Sequence, residues 1–173
     1  MTTATYLDRI LPRTREDLEA RKAALPLAEL QARLADVPPP KDFVGALAED
    51  RLHLVAEIKR ASPSRGDLAP DLDPRKLARS YVENGASALS VLTDGPFFQG
   101  SLDDLAAVRE ATASTGTPIL RKDFIIDPYQ IYEARFWGAD AVLLITVCLS
   151  DPELGEMQDL AKSLGMAALI EVH

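Results

Sequence analysis

The sequence holds few residues able to form covalent or metal-held scaffolds. A single cysteine, Cys148, excludes an intrachain disulfide and a cysteine-based zinc cluster. Its place in the apolar stretch 141–149 predicts a buried core thiol. Two histidines, His53 and His173, are too few for a His-rich metal site. No apolar run approaches the ~20 residues of a membrane-spanning helix. Basic residues are also in short supply: 19 Lys and Arg stand against 27 Asp and Glu, a formal net charge of −8. That sign disfavours a generic nucleic-acid or anionic-membrane binder. An anion would have to be met by a local basic pocket. Residues 1–16 contain Asp8 and Glu16 and lack an apolar h-region, which reads as neither a signal nor a transit peptide. A cytoplasmic setting is the expectation.

What is present suffices for a folded unit. The 173 residues are 47% hydrophobic and 27% charged, which excludes disorder along the whole chain. Residues 1–48 read as a helical extension. Tyr6, Leu7, Ile10 and Leu11 form one apolar cluster, which Pro12 is expected to interrupt. A second helix is expected from Thr14 to Leu25, and Pro26 separates it from a third over 27–34. Pro38, Pro39 and Pro40 form a rigid break. A further helical turn or two is expected over 43–49.

Residues 49–173 have another character. Five apolar runs, 54–59, 88–93, 118–122, 141–145 and 168–172, have the length and near-continuous hydrophobicity of strands covered on both faces. Helical segments separate them. Asp73-Pro74, Asp127-Pro128 and Asp151-Pro152 each set a capping carboxylate before a proline suited to the first helical turn. Ser101 is the cap of a fourth helix, over 101–114. Gly85, Gly138 and Gly165 mark helix exits just before a strand. The strand–helix unit recurs about every 23–34 residues, the pattern of a parallel α/β sheet. Two architectures fit: an open doubly wound sheet, or five strands of a (β/α)8 TIM barrel. No Gly-rich phosphate fingerprint is present, which counts against a dinucleotide-binding sheet.

The strand ends carry the charge. Side chains alternate across a strand, so Val55, Glu57 and Lys59 share a face, as do Leu120 and Lys122, and Leu169 and Glu171. Each set has its charged member at or near the C-terminal end. In a barrel those ends converge on one mouth, where two lysines and two glutamates can hold one another ionised or serve acid–base work. A purely structural ion-pair network is the alternative.

The same residues carry a family resemblance. Leu54-Val55-Ala56-Glu57-Ile58-Lys59-Arg60-Ala61-Ser62-Pro63-Ser64 resembles the signature of the indole-3-glycerol phosphate synthase family of tryptophan biosynthesis. Leu92-Thr93-Asp94 with Phe98-Gln99-Gly100-Ser101, Leu120-Arg121-Lys122-Asp123-Phe124-Ile125, Asp127-Pro128-Tyr129-Gln130-Ile131 and Leu169-Ile170-Glu171-Val172-His173 follow in the family's order. The resemblance implies a (β/α)8 barrel with extra N-terminal helices near the mouth. It implies a carboxy-lyase that closes the ring of 1-(2-carboxyphenylamino)-1-deoxyribulose 5-phosphate, a sugar phosphate, giving indole-3-glycerol phosphate, CO₂ and water. No cofactor or metal is expected, and no nucleic-acid or membrane partner. By similarity Lys122 is the leading general acid, Lys59 holds the substrate carboxylate and can share the acid role, Glu171 is the catalytic carboxylate, and Glu57 supports it. Phe98 and Phe124 match aromatic positions flanking the substrate ring, with ordinary packing as the alternative, and Ser62 a polar position of the first loop. Arg60 reads as a surface or ion-pair residue and Trp137 as core or helix–helix packing.

The match ends after five of eight strand–helix units, short of the later loops in which such barrels bind phosphate. The expectation is therefore little synthase activity from these residues by themselves, and self-association through an open barrel edge. Two other readings remain: an inactive partial barrel acting as an assembly or folding module, and another sugar-phosphate barrel enzyme using Lys122 as a Schiff base.

Overall fold

A computed structural model describes residues 6–172; His173, the last residue of the fifth-strand motif, lies outside them. The chain opens with α1 (Tyr6–Ala24) and α2 (Leu27–Arg33). Pro12 lies inside α1 and does not end it. The helix predicted to start at Thr14 is therefore the same helix. Pro12 gives up one hydrogen-bond donor and crowds the carbonyl four residues back, and burial of Ile10, Thr14 and Leu18 holds the turns on either side of it. The helical turn or two expected over 43–49 is a single 3₁₀ turn at Gly45–Leu47.

β1 (Val55–Ile58) follows, then a small antiparallel hairpin that the sequence pattern did not suggest, β2 (Ala61–Ser62) and β3 (Gly66–Asp67). The remaining order is α3 (Pro74–Glu83), β4 (Ala88–Leu92), α4 (Gly95–Phe98), α5 (Leu102–Ala111), β5 (Ile119–Lys122), α6 (Pro128–Phe136), β6 (Ala141–Ile145), α7 (Asp151–Ser163) and β7 (Ala167–Glu171). The punctuation acts largely as expected. Asp73, Asp127 and Ser101 accept backbone N–H bonds as caps, and Gly85, Gly138 and Gly165 take positive φ. Asp151 is the exception. Ser150 is the cap of α7, in a reciprocal box with Glu153, and Asp151 is the first helical residue.

The sheet decides between the two architectures. Its order is β1-β4-β5-β6-β7, all parallel, so apart from the β2–β3 hairpin each strand pairs with the one that follows it in the chain. A doubly wound sheet reverses direction at a switch point; this one does not. It is the winding of a (β/α)8 barrel, with five of the eight strands. Leu89, Val91, Ile119, Val142 and Leu144 pack outward against the helices. Ala88, Leu120, Ala141, Leu143 and Ile145 form the inner layer, joined by Phe43 of the extension. Leu18, Leu30 and Tyr129 join α1, α2 and α6 in a third cluster.

Candidate active site

The hollow is built by strand ends. Glu57 stands near the end of β1, Lys59 just past it, Lys122 at the last position of β5 and Glu171 at the last position of β7. The alternation predicted from sequence places Val55, Glu57, Leu120, Lys122, Leu143, Leu169 and Glu171 around one cavity of about 350 Å³. A neighbouring cavity of about 530 Å³ is lined by Lys59, Ser62, Phe98, Phe124 and Glu171. Glu171 thus borders both.

Glu57 is the electrostatic centre. Its Oε1 lies 2.6 Å from Lys59 Nζ, and its Oε2 accepts from Lys122 Nζ at 3.0 Å. Burial works to raise the Glu57 pKa, but the hydrogen bonds from Lys59 and Lys122 outweigh it and hold the carboxyl below its ordinary value. One carboxylate therefore keeps company with two ammonium groups at the mouth of a parallel barrel. The Phe98 and Phe124 rings stand 6.1 Å apart at 40°, and they border a smaller recess together with Lys122 and Glu171.

Several lining residues had no role in the sequence argument. Arg65 reaches the larger cavity from the turn of the β2–β3 hairpin and Leu68 from just past β3, and Tyr6, Leu7 and Ile10 reach it from α1. A helical apolar cluster was visible in the sequence; what it would cover was not. Arg60 makes the ion pair expected of it, with Asp104. Cys148 is only half-buried, on a 3₁₀ turn, rather than a core thiol. Burial pushes its thiol pKa up, and the nearby Glu171 charge adds to that. His53 bonds Ser87 and Glu49, and among the described residues no cluster of His, Cys, Asp or Glu could hold a metal ion.

Behind the lysine lies a buried frame. Arg121 is fully buried, with 0% of its side chain exposed; it pairs with Asp123 at 2.8 Å and Glu133 at 2.9 Å, and its Nε donates to Thr93. Asp123 also accepts from the Thr93 hydroxyl and from the Phe124 N–H. Alternation puts Arg121 and Asp123 on the helix side and Lys122 in the hollow. The frame therefore fixes the backbone on both sides of Lys122. Arg21 of α1 reaches the same Glu133 at 3.1 Å.

The family model described as indole-3-glycerol phosphate synthase matches residues 7–173. The chain belongs to the indole-3-glycerol phosphate synthase family. It is similar to the indole-3-glycerol phosphate synthase of Mycobacterium ulcerans, 53% identical over 173 residues, which are 100% of this chain and 62% of that protein. Those of Mycobacterium avium and Mycobacterium tuberculosis are each 52% identical with the same coverage. The chain thus spans 62% of the length of these curated relatives. A mandelate racemase/muconate lactonizing protein from Herpetosiphon aurantiacus shares 12% identity at a TM-score of 0.30, covering 69% of this chain and 46% of that one, a likeness too slight to bear on fold or chemistry.

Proposed function

We propose that these residues supply the catalytic half of an indole-3-glycerol phosphate synthase. The substrate is 1-(2-carboxyphenylamino)-1-deoxyribulose 5-phosphate, and the products are indole-3-glycerol phosphate, CO₂ and water. The observation that carries the reading is the placement of Lys59 and Lys122 on the two oxygens of Glu57, at the mouth. An aniline ring carbon attacks the ketone carbon, and negative charge grows on the ketone oxygen. Lys122 protonates that oxygen as general acid. Lys59 holds the carboxylate that later leaves as CO₂. In the dehydration Glu171 accepts the proton lost from the ring, Lys59 gives a proton to the hydroxyl so that it departs as water, and Glu57 pairs with both lysines. Phe98 and Phe124 flank the aromatic ring, and Ser62 adds a polar contact at the first loop.

A chimera tests this reading. The chain is substituted for the matching segment of the Mycobacterium tuberculosis relative, and product formation is followed by indole fluorescence. Turnover is expected, with Lys122→Ala lowering it by ~10²–10⁴-fold while substrate binding changes little. A folded chimera without turnover, or near-normal turnover in the Lys122→Ala form, sinks the proposal. Borohydride trapping of the substrate on Lys122 would favour a Schiff-base enzyme instead.

A further inference from the structure

A second cavity, of about 500 Å³, lies away from the catalytic hollow and shares no lining residue with it. It sits between residues 36–39 of the extension, α5 and the C-terminal end of α6. Pro38, Pro39, Phe136 and Trp137 give it flat apolar walls, and Arg109 and Arg135 add charge. Its volume falls within the ~300–1,000 Å³ usual for small-molecule sites.

The charges around it are unevenly matched. Arg135 is buried, with 7% exposed, yet its Nη2 donates only to the backbone carbonyls of Val37 at 3.0 Å and Pro38 at 2.6 Å. Among the described residues no carboxylate lies within ion-pair distance of it, and its Nε and Nη1 make no hydrogen bond. Lys41 is likewise bonded through Nζ only to carbonyls, of Thr112 and Thr117. The nearby buried acid, Asp140, is already engaged: Oδ1 accepts from Arg109 and from the Lys41 N–H, and Oδ2 accepts from the Ile119 N–H. Burial works against the charge on both Lys41 and Arg135 and Arg109 adds repulsion to each, which the attraction of Asp140 offsets only in part. The cavity's acids are Asp36, on an exposed turn, and Glu110, which is paired outward with Arg75. A guanidinium bonded only to carbonyls, with no carboxylate in direct contact and flat apolar walls beside it, favours a ligand that brings its own negative charge.

We propose that this cavity binds a small aromatic carboxylate, its ring between Pro38, Phe136 and Trp137 and its carboxylate on the Arg135 guanidinium. Gly138 is part of the construction. At φ +92 it lets the chain pass Arg109, where an added Cβ would come within 2.8 Å of Arg109 Cγ. Arg109 is thereby held along the cavity floor, bonded to the Gly138 carbonyl at 2.6 Å.

Trp137 is the chain's single tryptophan, so its fluorescence reports on this cavity and not on the catalytic hollow. Titration with 3-phenylpropionate is expected to give a saturable change in Trp137 emission. The neutral 3-phenylpropanamide should bind about tenfold more weakly, and Arg135→Gln should weaken the acid by a similar factor. Ala106→Phe, which fills the cavity from α5, should abolish the change while leaving the circular dichroism intact; this variant decides the matter if Arg135→Gln does not fold. A linear, unsaturable response, equal binding of acid and amide, or unaltered binding by the Ala106→Phe chain overturns the proposal.

Discussion

Arg121 shows how a single side chain can govern a strand. Its charge is removed from water, and burial alone would lower its pKa, but Asp123 and Glu133 outweigh that penalty. Cutting the residue back to an apolar one leaves both carboxylates buried with less compensation. Arg121→Met should therefore cost about 3–5 kcal/mol of stability, read as a fall in the urea midpoint; a loss below about 1 kcal/mol would show the pair to be dispensable. Asp94 works in the opposite direction. Burial, with Asp123 close by, pushes its carboxyl up to about 6, although the Phe97 and Phe98 N–H groups donate to it. The folded chain thus binds this proton more tightly than the unfolded one, whose value is near 3.8. Stability from this group is full below the unfolded value and is lost as pH rises through about 6. Asp94→Asn keeps a capping oxygen without the charge. It should stabilise the chain at pH 7 by on the order of 2 kcal/mol and flatten the fall in stability between pH 4 and 6. An unchanged pH profile would remove Asp94 from the account. Of these groups, the sequence showed Lys122 readily, because alternation places it on a face with Leu120. It did not show the Arg121 frame, because nothing local says that a charge on the helix side of a strand will meet Glu133 from a different helix.

Among the elements, α1 departs most from expectation, and the reason is packing. Pro12 is a helix breaker by local rule, yet α1 is continuous because its far half is clamped to α6. Leu18 and Leu30 pack on Tyr129, Arg21 pairs with Glu133, Lys22 with Asp127, and the Tyr129 hydroxyl donates to the Leu25 carbonyl at 2.8 Å. The near half, with Tyr6 and Ile10, then lies over the larger cavity. Leu30 is wholly buried at this junction. Leu30→Ala should cost about 2–5 kcal/mol and speed hydrogen exchange in α1 and α2 ahead of the sheet; uniform exchange across the chain would mean that the extension is not a separate latch. The strands were read from sequence to within about one residue because buried parallel strands are apolar runs. The β2–β3 hairpin escaped notice because two-residue strands carry no periodicity to read.

The whole molecule presents an uneven outline. Helices cover the outer face of the sheet, but β1 and β7 each have one strand neighbour among the described residues. Leu54, Val55, Leu169 and Val172 are exposed along these margins, and Leu52 is 96% exposed. Unpaired strand edges with apolar flanks invite pairing with another chain. Sedimentation velocity on the 173-residue chain should show concentration-dependent self-association at micromolar protein, reduced by Leu169→Lys. A strict monomer at every concentration would refute this. The barrel winding was legible as an option and not as a certainty, since a repeating strand–helix pattern serves either architecture and strand order is settled only by pairing.

The carboxylate lodged between the two ammonium groups also bears on how the pocket meets its guest. Lys59 and Lys122 share the one negative charge of Glu57, so the three groups together keep one positive charge with which to meet an anion. An incoming acid competes with Glu57 for the two ammonium tips. Discrimination among anions then falls to ring shape and to the placement of the lysine tips, not to a general appetite for negative charge.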